Sequence, residues 1–313
     1  MSGVTVAVVG APGVASQLGK KGTQSDLTLF DSSHDGHHTT LVEPTHFPEK
    51  FAPLLSALAM ADRCVLVVEQ LSRPVAETIA TVDLFDLPTT IVTGPAVGVE
   101  ELGRALRGTR LESVPRGPLD PAQLRATVDS WRVPPDPGPV AAPIDHVFPV
   151  KGVGTVALGV VRTGTLKVHE HLRLWPTDRT VEVRSIQVHD VDVKEAGTGE
   201  RVGVALKGVE VDQVERGQIL APAGSLCAGE ELIGERLVPC RYYKGDWGPG
   251  SRMSVAIGMQ TAPAAVDTRS DATVRFTTDR PVVYRVGQPA YLFDLNAGNG
   301  PRIVARTDLA PGP

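Results

Sequence analysis

Aromatic residues are scarce: Phe, Trp and Tyr together make up 4% of the 313 residues. The cores must therefore be built from Val, Leu, Ile and Ala. Cysteine is nearly absent, with Cys64, Cys227 and Cys240 isolated from one another. Neither a disulfide framework nor a CxxC zinc motif can be assembled from so scattered a set, which predicts structural thiols in a reducing, cytoplasmic setting. No apolar run approaches the roughly 18–20 residues that span a bilayer. The N-terminus lacks a basic stretch leading into an apolar one, so neither a signal peptide nor a membrane partner is expected. No G-x-S-x-G is present, and His189 and Asp190 are adjacent, so a hydrolytic triad has no sequence signal. A net charge of −5 argues against indiscriminate binding of nucleic acid and gives no reason to expect DNA as a partner. The charge is uneven. Residues 1–132 hold eleven Lys and Arg against fifteen Asp and Glu, whereas 227–313 hold ten against nine.

What the chain has in quantity is glycine (32) and proline (26), which favours many turns and short strands. Residues 1–132 alternate apolar strands with helical patterns. Strands are predicted at Val4–Val9, Leu27–Phe30, Thr39–Glu43, Cys64–Glu69, Thr89–Thr93 and Arg110–Val114. Helices are predicted at Pro48–Asp62, Pro74–Leu84, Val97–Leu106 and Pro121–Trp131. That rhythm implies a mainly parallel sheet covered by helices. "VPPDPGPVAAP" (133–143) reads as a semi-rigid linker. Beyond it lie short strands punctuated by glycine, in residues 144–226 and again in 227–313. Strands at this spacing predict two all-β barrels.

The segment "DHVFPVKGVGTVALGVVRTGTLKVHEHLRLWP" resembles the second domain of translational GTPases, with elongation factor Tu and the selenocysteine-specific elongation factor as the nearest likeness. The family's K-G-x-G-T-V-x-x-G element falls on Lys151, Gly152, Gly154, Thr155, Val156 and Gly159, and its later turn on Gly164, Lys167 and Glu170, with His169 where glycine is usual. Barrel formation alone accounts for these glycines. The resemblance implies a three-domain plan: an α/β P-loop-type G domain followed by two β-barrels. It also implies contacts with the acceptor end of tRNA near Val150–Gly154.

The G domain expected from that plan departs from its motifs. A phosphate loop, G-x-x-x-x-G-K-[ST], supplies backbone amides, a lysine and a magnesium-binding hydroxyl. Starting at Gly10, this chain offers Ala15, Ser16 and Gln17 at the last three positions, with Gly13 inside the loop. Lys20 and Lys21 come too late for the motif, although either could reach an anion; otherwise the stretch is a solvated turn. The D-x-x-G motif aligns with Glu43-Pro44-Thr45-His46, and N-K-x-D with Thr93-Gly94-Pro95-Ala96. The G domain is therefore expected to be degenerate and inactive, with no nucleotide cofactor. The alternative is GTP and Mg held through nonstandard contacts.

Two further groups of residues carry candidate chemistry. His34, His37, His38 and His46 with Asp31 and Asp35 could suit a metal, but "HDGHH" reads better as a hairpin turn, and no metal is expected. In "RYYKGDWGPGSR", Arg241, Lys244 and Arg252 interleave with Tyr242, Tyr243 and Trp247, a composition able to grip phosphates and stack on bases. The alternative is a barrel turn carrying exposed amphipathic side chains. The sequence thus predicts an elongation factor-like protein binding tRNA, the ribosome or another translation component without GTP hydrolysis. A protein–protein scaffold is the other class left open.

Overall fold

The computed structural model describes residues 2–34 and 36–312. The first strand, β1 (Ser2–Val9), is apolar on both faces and occupies the middle of a seven-stranded sheet. It is followed by α1 (Ala15–Leu18), β2 (Lys20–Gln24), β3 (Leu27–His34), β4 (His37–Pro44), α2 (Ala52–Met60), β5 (Arg63–Val68), α3 (Arg73–Phe85), β6 (Thr89–Thr93), α4 (Val99–Leu106), β7 (Arg116–Pro118) and α5 (Pro121–Asp129). The sheet order is β2-β3-β4-β1-β5-β6-β7. Strands β4, β1, β5, β6 and β7 run parallel, while β2 and β3 pair antiparallel at one edge. Local signals place the helices. Ser72 caps α3 by accepting from Val75 N–H, and Asp120 caps α5 by accepting from the amides of Ala122 and Gln123, as N-cap chemistry requires.

Two expectations fail here. Arg110–Val114 is not a strand: Arg110–Ser113 form a 3₁₀ turn, and pairing begins only at Arg116. The cause is Asp83, whose carboxylate accepts the Arg110 N–H at 2.8 Å while the guanidinium donates to the carbonyls of Asp83 and Val82. The chain is thus bent onto the end of α3, and Leu111 enters the core. The second is β2, an extra edge strand holding Lys20 and Lys21 in register with Asp31 and Phe30. Both lysines are exposed and lie beyond α1 rather than in the turn after β1.

The proline-rich segment has no regular structure until Ala142, although Val140 and Ala141 are already packed into the next domain. That domain comprises β8 (Ala142–Val150), β9 (Gly154–Val160), β10 (Thr165–Lys167), β11 (His171–Trp175), β12 (Thr180–Val188), β13 (Val191–Val193), β14 (Glu195–Gly197), β15 (Arg201–Lys207) and β16 (Ile219–Ala221). The order β11-β16-β8-β9-β15-β12 closes through a β11–β12 pairing, with β13 appended to β12 and β10 paired with β14. The third domain is a closed barrel of β17 (Cys227–Pro239), β18 (Arg252–Ile257), β19 (Gln260–Arg269), β20 (Val274–Tyr284), β21 (Pro289–Phe293) and β22 (Ile303–Leu309). The expected α/β domain followed by two β-barrels is the architecture observed. No helix among the described residues is long and apolar enough to cross a membrane.

The domains are welded rather than loosely linked. One hydrophobic core runs from α2 and α3 into the third barrel. In it Phe85 stacks on Tyr291 at 3.8 Å, and Phe51 meets Phe293 at 5.6 Å. At its edge the Arg302 guanidinium grips the Glu77 carboxylate through Nε and Nη2 at 2.9 and 2.6 Å. The first two domains meet through Ser25 and His146 (2.9 Å), Asp26 and Arg216 (2.6 Å), and Asp62 and Arg162 (2.8 Å). Next to His146, burial acts to raise the Asp145 carboxyl. The Arg201 guanidinium and the His146 ring outweigh that and hold it far below the usual carboxylate range. Burial pushes the Cys64 thiol up to about 12 and also raises Cys240, consistent with inert structural thiols.

Candidate functional site

The turn after β1 is where a fold of this kind presents backbone N–H groups to an anion. Its geometry depends on Gly10, with φ at +105° and a Cβ that would stand 2.1 Å from the Val67 carbonyl oxygen. The amides beyond it have a partner within the chain. Glu43, at the end of β4, turns its carboxylate into the loop and accepts from Ala15 N–H at 2.8 Å (Oε1) and Gly13 N–H at 3.2 Å (Oε2). Its side chain is buried, at 8% exposure. Burial pushes the Glu43 carboxyl up, and the amides of Ala15, Gly13 and Val14 pull it back only in part. Ser16, at the lysine position of the motif, donates its hydroxyl to the Gly13 carbonyl at 2.7 Å. Arg125 of α5 donates to the Gln17 carbonyl. The loop is thus tied down by the chain's own side chains.

The other motif positions do not join this cradle. His46 is exposed in the turn after β4, its carbonyl taken by Lys50 N–H. After β6, Gly94 N–H donates to the Val68 carbonyl, and Thr93 Oγ1 to that of Gly117. The histidines do not converge either. His37 and His38 open β4 and His46 lies past its other end, while Asp35 falls outside the described residues. The hairpin expected at "HDGHH" joins β3 to β4. His38 instead stacks on His189 of the second domain, with centroids 3.9 Å apart. No group of three His, Cys, Asp or Glu among the described residues is placed to hold a metal.

In the second domain, Lys151 and Gly152 form the tip of the β8–β9 hairpin, and Gly154 opens β9. Thr155 is buried and donates to the Val209 carbonyl at 2.9 Å. Phe148 and Val153 remain exposed on this hairpin. Beside it Val153, Gly154, Thr155, Arg184, Lys207 and Glu210 face a cleft of about 390 Å³.

The Arg241–Arg252 stretch is divided by the fold. Arg241, Lys244 and Arg252 are exposed. Trp247 is not, at 6% exposure: it belongs to the third barrel's core, under the Arg269 guanidinium at 3.9 Å. It is therefore unavailable to stack on a base. Tyr243 packs on the same core and donates its hydroxyl to Asp294 at 2.9 Å, and burial with that bond pushes its pKa up to about 12. Tyr242 and Arg241 reach the first domain, where both donate to the Arg107 carbonyl, at 3.2 and 3.4 Å. The sequence reading missed what lies across that seam, namely Arg104, Arg107 and Arg116, because no motif links them. It also missed the role of Glu43, whose signal was a carboxylate directly after the apolar pair Leu41-Val42 near the end of a strand.

Known proteins resemble this chain in sequence and fold. Residues 154–221 match the family model of elongation factor Tu domain 2. An uncharacterized protein of Methanocaldococcus jannaschii is 33% identical over 300 residues, 95% of this chain and 97% of its own length. The selenocysteine-specific elongation factor of the same organism is 28% identical over 279 residues; the match covers 79% of this chain and 58% of that factor. The crystal structure of translation elongation factor SelB from Methanococcus maripaludis, in complex with the GTP analogue GppNHp, superposes with a TM-score of 0.85. It shares 21% identity, covering 100% of this chain and 79% of that one.

Proposed function

The chain belongs to the translational GTPase family, and from that premise we propose that it is an elongation factor-like protein that binds tRNA, the ribosome or another translation component without hydrolysing GTP. One observation carries this reading: the amides that would cradle a phosphate already hold the Glu43 carboxylate. A guanine nucleotide with magnesium does not fit the residues present. A phosphate entering this loop would meet a carboxylate, with Ser16 where the offsetting lysine belongs. Past β6, Thr93–Ala96 present no carboxylate to the guanine edge. Hydrogen bonds to charged groups contribute about 1.5–3 kcal/mol each, so losing three or more lowers affinity by several orders of magnitude.

Titration with a fluorescent GTP analogue, with and without magnesium, tests this. The expected result is no saturable binding at micromolar protein. Micromolar, magnesium-dependent binding would instead make the protein a GTP-binding factor with nonstandard contacts.

A further inference from the structure

We propose that the seam between α4 of the first domain and the Arg241–Lys244 turn of the third is a binding surface for the phosphate backbone of RNA. This rests on the reading that the partner is an RNA-containing component of translation, and it assigns where that RNA lies. At the C-terminal end of α4 a cleft of about 490 Å³ is lined by Glu100, Gly103, Arg104, Arg107, Glu112 and Arg116. The third domain touches the chain just beyond this cleft, at Arg107 and Gly108. Arg241 lies against Gly108, where a Cβ would stand 1.6 Å from its Nη1, so only glycine lets the guanidinium settle there. The Arg107 carbonyl then receives Arg241 and Tyr242 together. Lys244 follows three residues on and is exposed.

Arg241 is partly engaged, its guanidinium lying 5.4 Å over the Tyr242 ring and its charge felt by Asp83. Arg104, Arg107, Arg241 and Lys244 make no salt bridge among the described residues. Arg116 donates Nη2 to the Glu112 carbonyl, while its buried Nε has no partner. The Glu112 carboxylate is engaged by the Gly108 N–H. Helix-dipole preference explains basic residues at the end of α4. It does not explain why Arg116 lines the same cleft or why Arg241 reaches Arg107 from the third domain. Arg104, Arg107 and Arg116 outnumber Glu100 and Glu112 in the cleft, and Arg241 and Lys244 add exposed positive charge from the third domain, a local excess in a chain of net charge −5 that attracts an anion. Guanidinium forks match phosphate oxygens in pairs, and a row of them along a seam suits a repeating polyanion. The exposed apolar residue of α4, Val99, sits at the helix's other end. The cleft is thus a charged surface without the apolar anchor a protein helix would need.

The test is fluorescence anisotropy of labelled unfractionated tRNA at 50, 100 and 200 mM KCl. It compares the full chain with a double variant, Arg104→Glu with Arg107→Glu, and with Arg179→Glu, an exposed arginine of the second barrel. Both side chains are exposed, so the fold should persist, with the thermal midpoint lowered by only about a few degrees as the favourable charge at the end of α4 is reversed. The double variant should bind at least about 10-fold more weakly at 100 mM and lower the slope of log affinity against log salt by about 1–2, since each phosphate contact contributes roughly 0.7–0.9. Arg179→Glu should bind within about twofold of wild type. Unchanged affinity and slope in the double variant would remove the seam while leaving RNA binding elsewhere intact. Absence of tRNA binding by wild type even at 50 mM would overturn both this site and RNA as the partner. Displacement of tRNA by polyglutamate would support the seam as the tRNA site, while polyglutamate binding without tRNA binding would reassign it to an acidic protein.

Discussion

Glu43 is the residue on which the first domain's chemistry turns. A carboxylate at the end of a buried strand is costly unless hydrogen-bonded, and here the donors are the amides a nucleotide-binding loop reserves for its ligand. Glu43→Ala leaves the Gly13 and Ala15 amides without an acceptor and is expected to lower stability by about 1–3 kcal/mol in urea unfolding. Glu43→Gln keeps one carbonyl acceptor and should lose less. The pH dependence follows from the direction of its shift. Burial raises the folded carboxyl above the ordinary value of about 4.3, so the fold prefers the protonated acid. Its contribution is most favourable below that value and is lost as pH rises through the raised one. Wild type should therefore lose stability relative to Glu43→Gln as pH rises above the ordinary carboxyl value, measured as the difference in urea midpoints across a pH series. A constant difference would mean that the amides fully compensate the buried charge.

At the scale of elements, the alternation of strands and helices was legible because β1 and β5 are mostly apolar runs and α3 and α5 carry their caps in the sequence. Where reading failed, a distant partner had intervened. Arg110–Val114 has a strand's composition, yet Asp83 on α3 draws Arg110 into a turn. Trp247 sits among exposed basic residues in the sequence and inside a barrel in space. The turn from β1 to α1 is the element most sensitive to substitution. At Gly10 any side chain meets both an unfavourable φ and the Val67 carbonyl. Gly10→Ala should therefore destabilise the first domain by about 3 kcal/mol or more, combining backbone strain with the displacement of β5. Hydrogen exchange should report this as faster exchange of the β1 and β5 amides, with the third barrel protected as before.

For the whole molecule, the decisive feature is that the first and third domains share one core. Arg302 fastens its rim by holding Glu77 and also donating to the Pro48 carbonyl. Arg302→Ala leaves a nearly buried carboxylate unpaired and is expected to cost about 3–5 kcal/mol. The readout is urea unfolding together with proteolysis, which should begin in the α3–β22 interface. An unchanged midpoint would show that the aromatic contacts alone hold the joint.

By itself the sequence determined the three-domain order, the barrels and their family resemblance, and the loss of the nucleotide motifs. These depend on local periodicity, turn residues and short spacings, which are written contiguously along the chain. Only the tertiary structure decided that Glu43 fills the loop, that Trp247 and Tyr243 are packing residues, and that Arg104, Arg107 and Arg116 line one cleft while Arg241 reaches Arg107 across a domain seam. Each of those depends on side chains tens to more than a hundred residues apart, and their proximity is set by packing between elements and domains that no local pattern encodes.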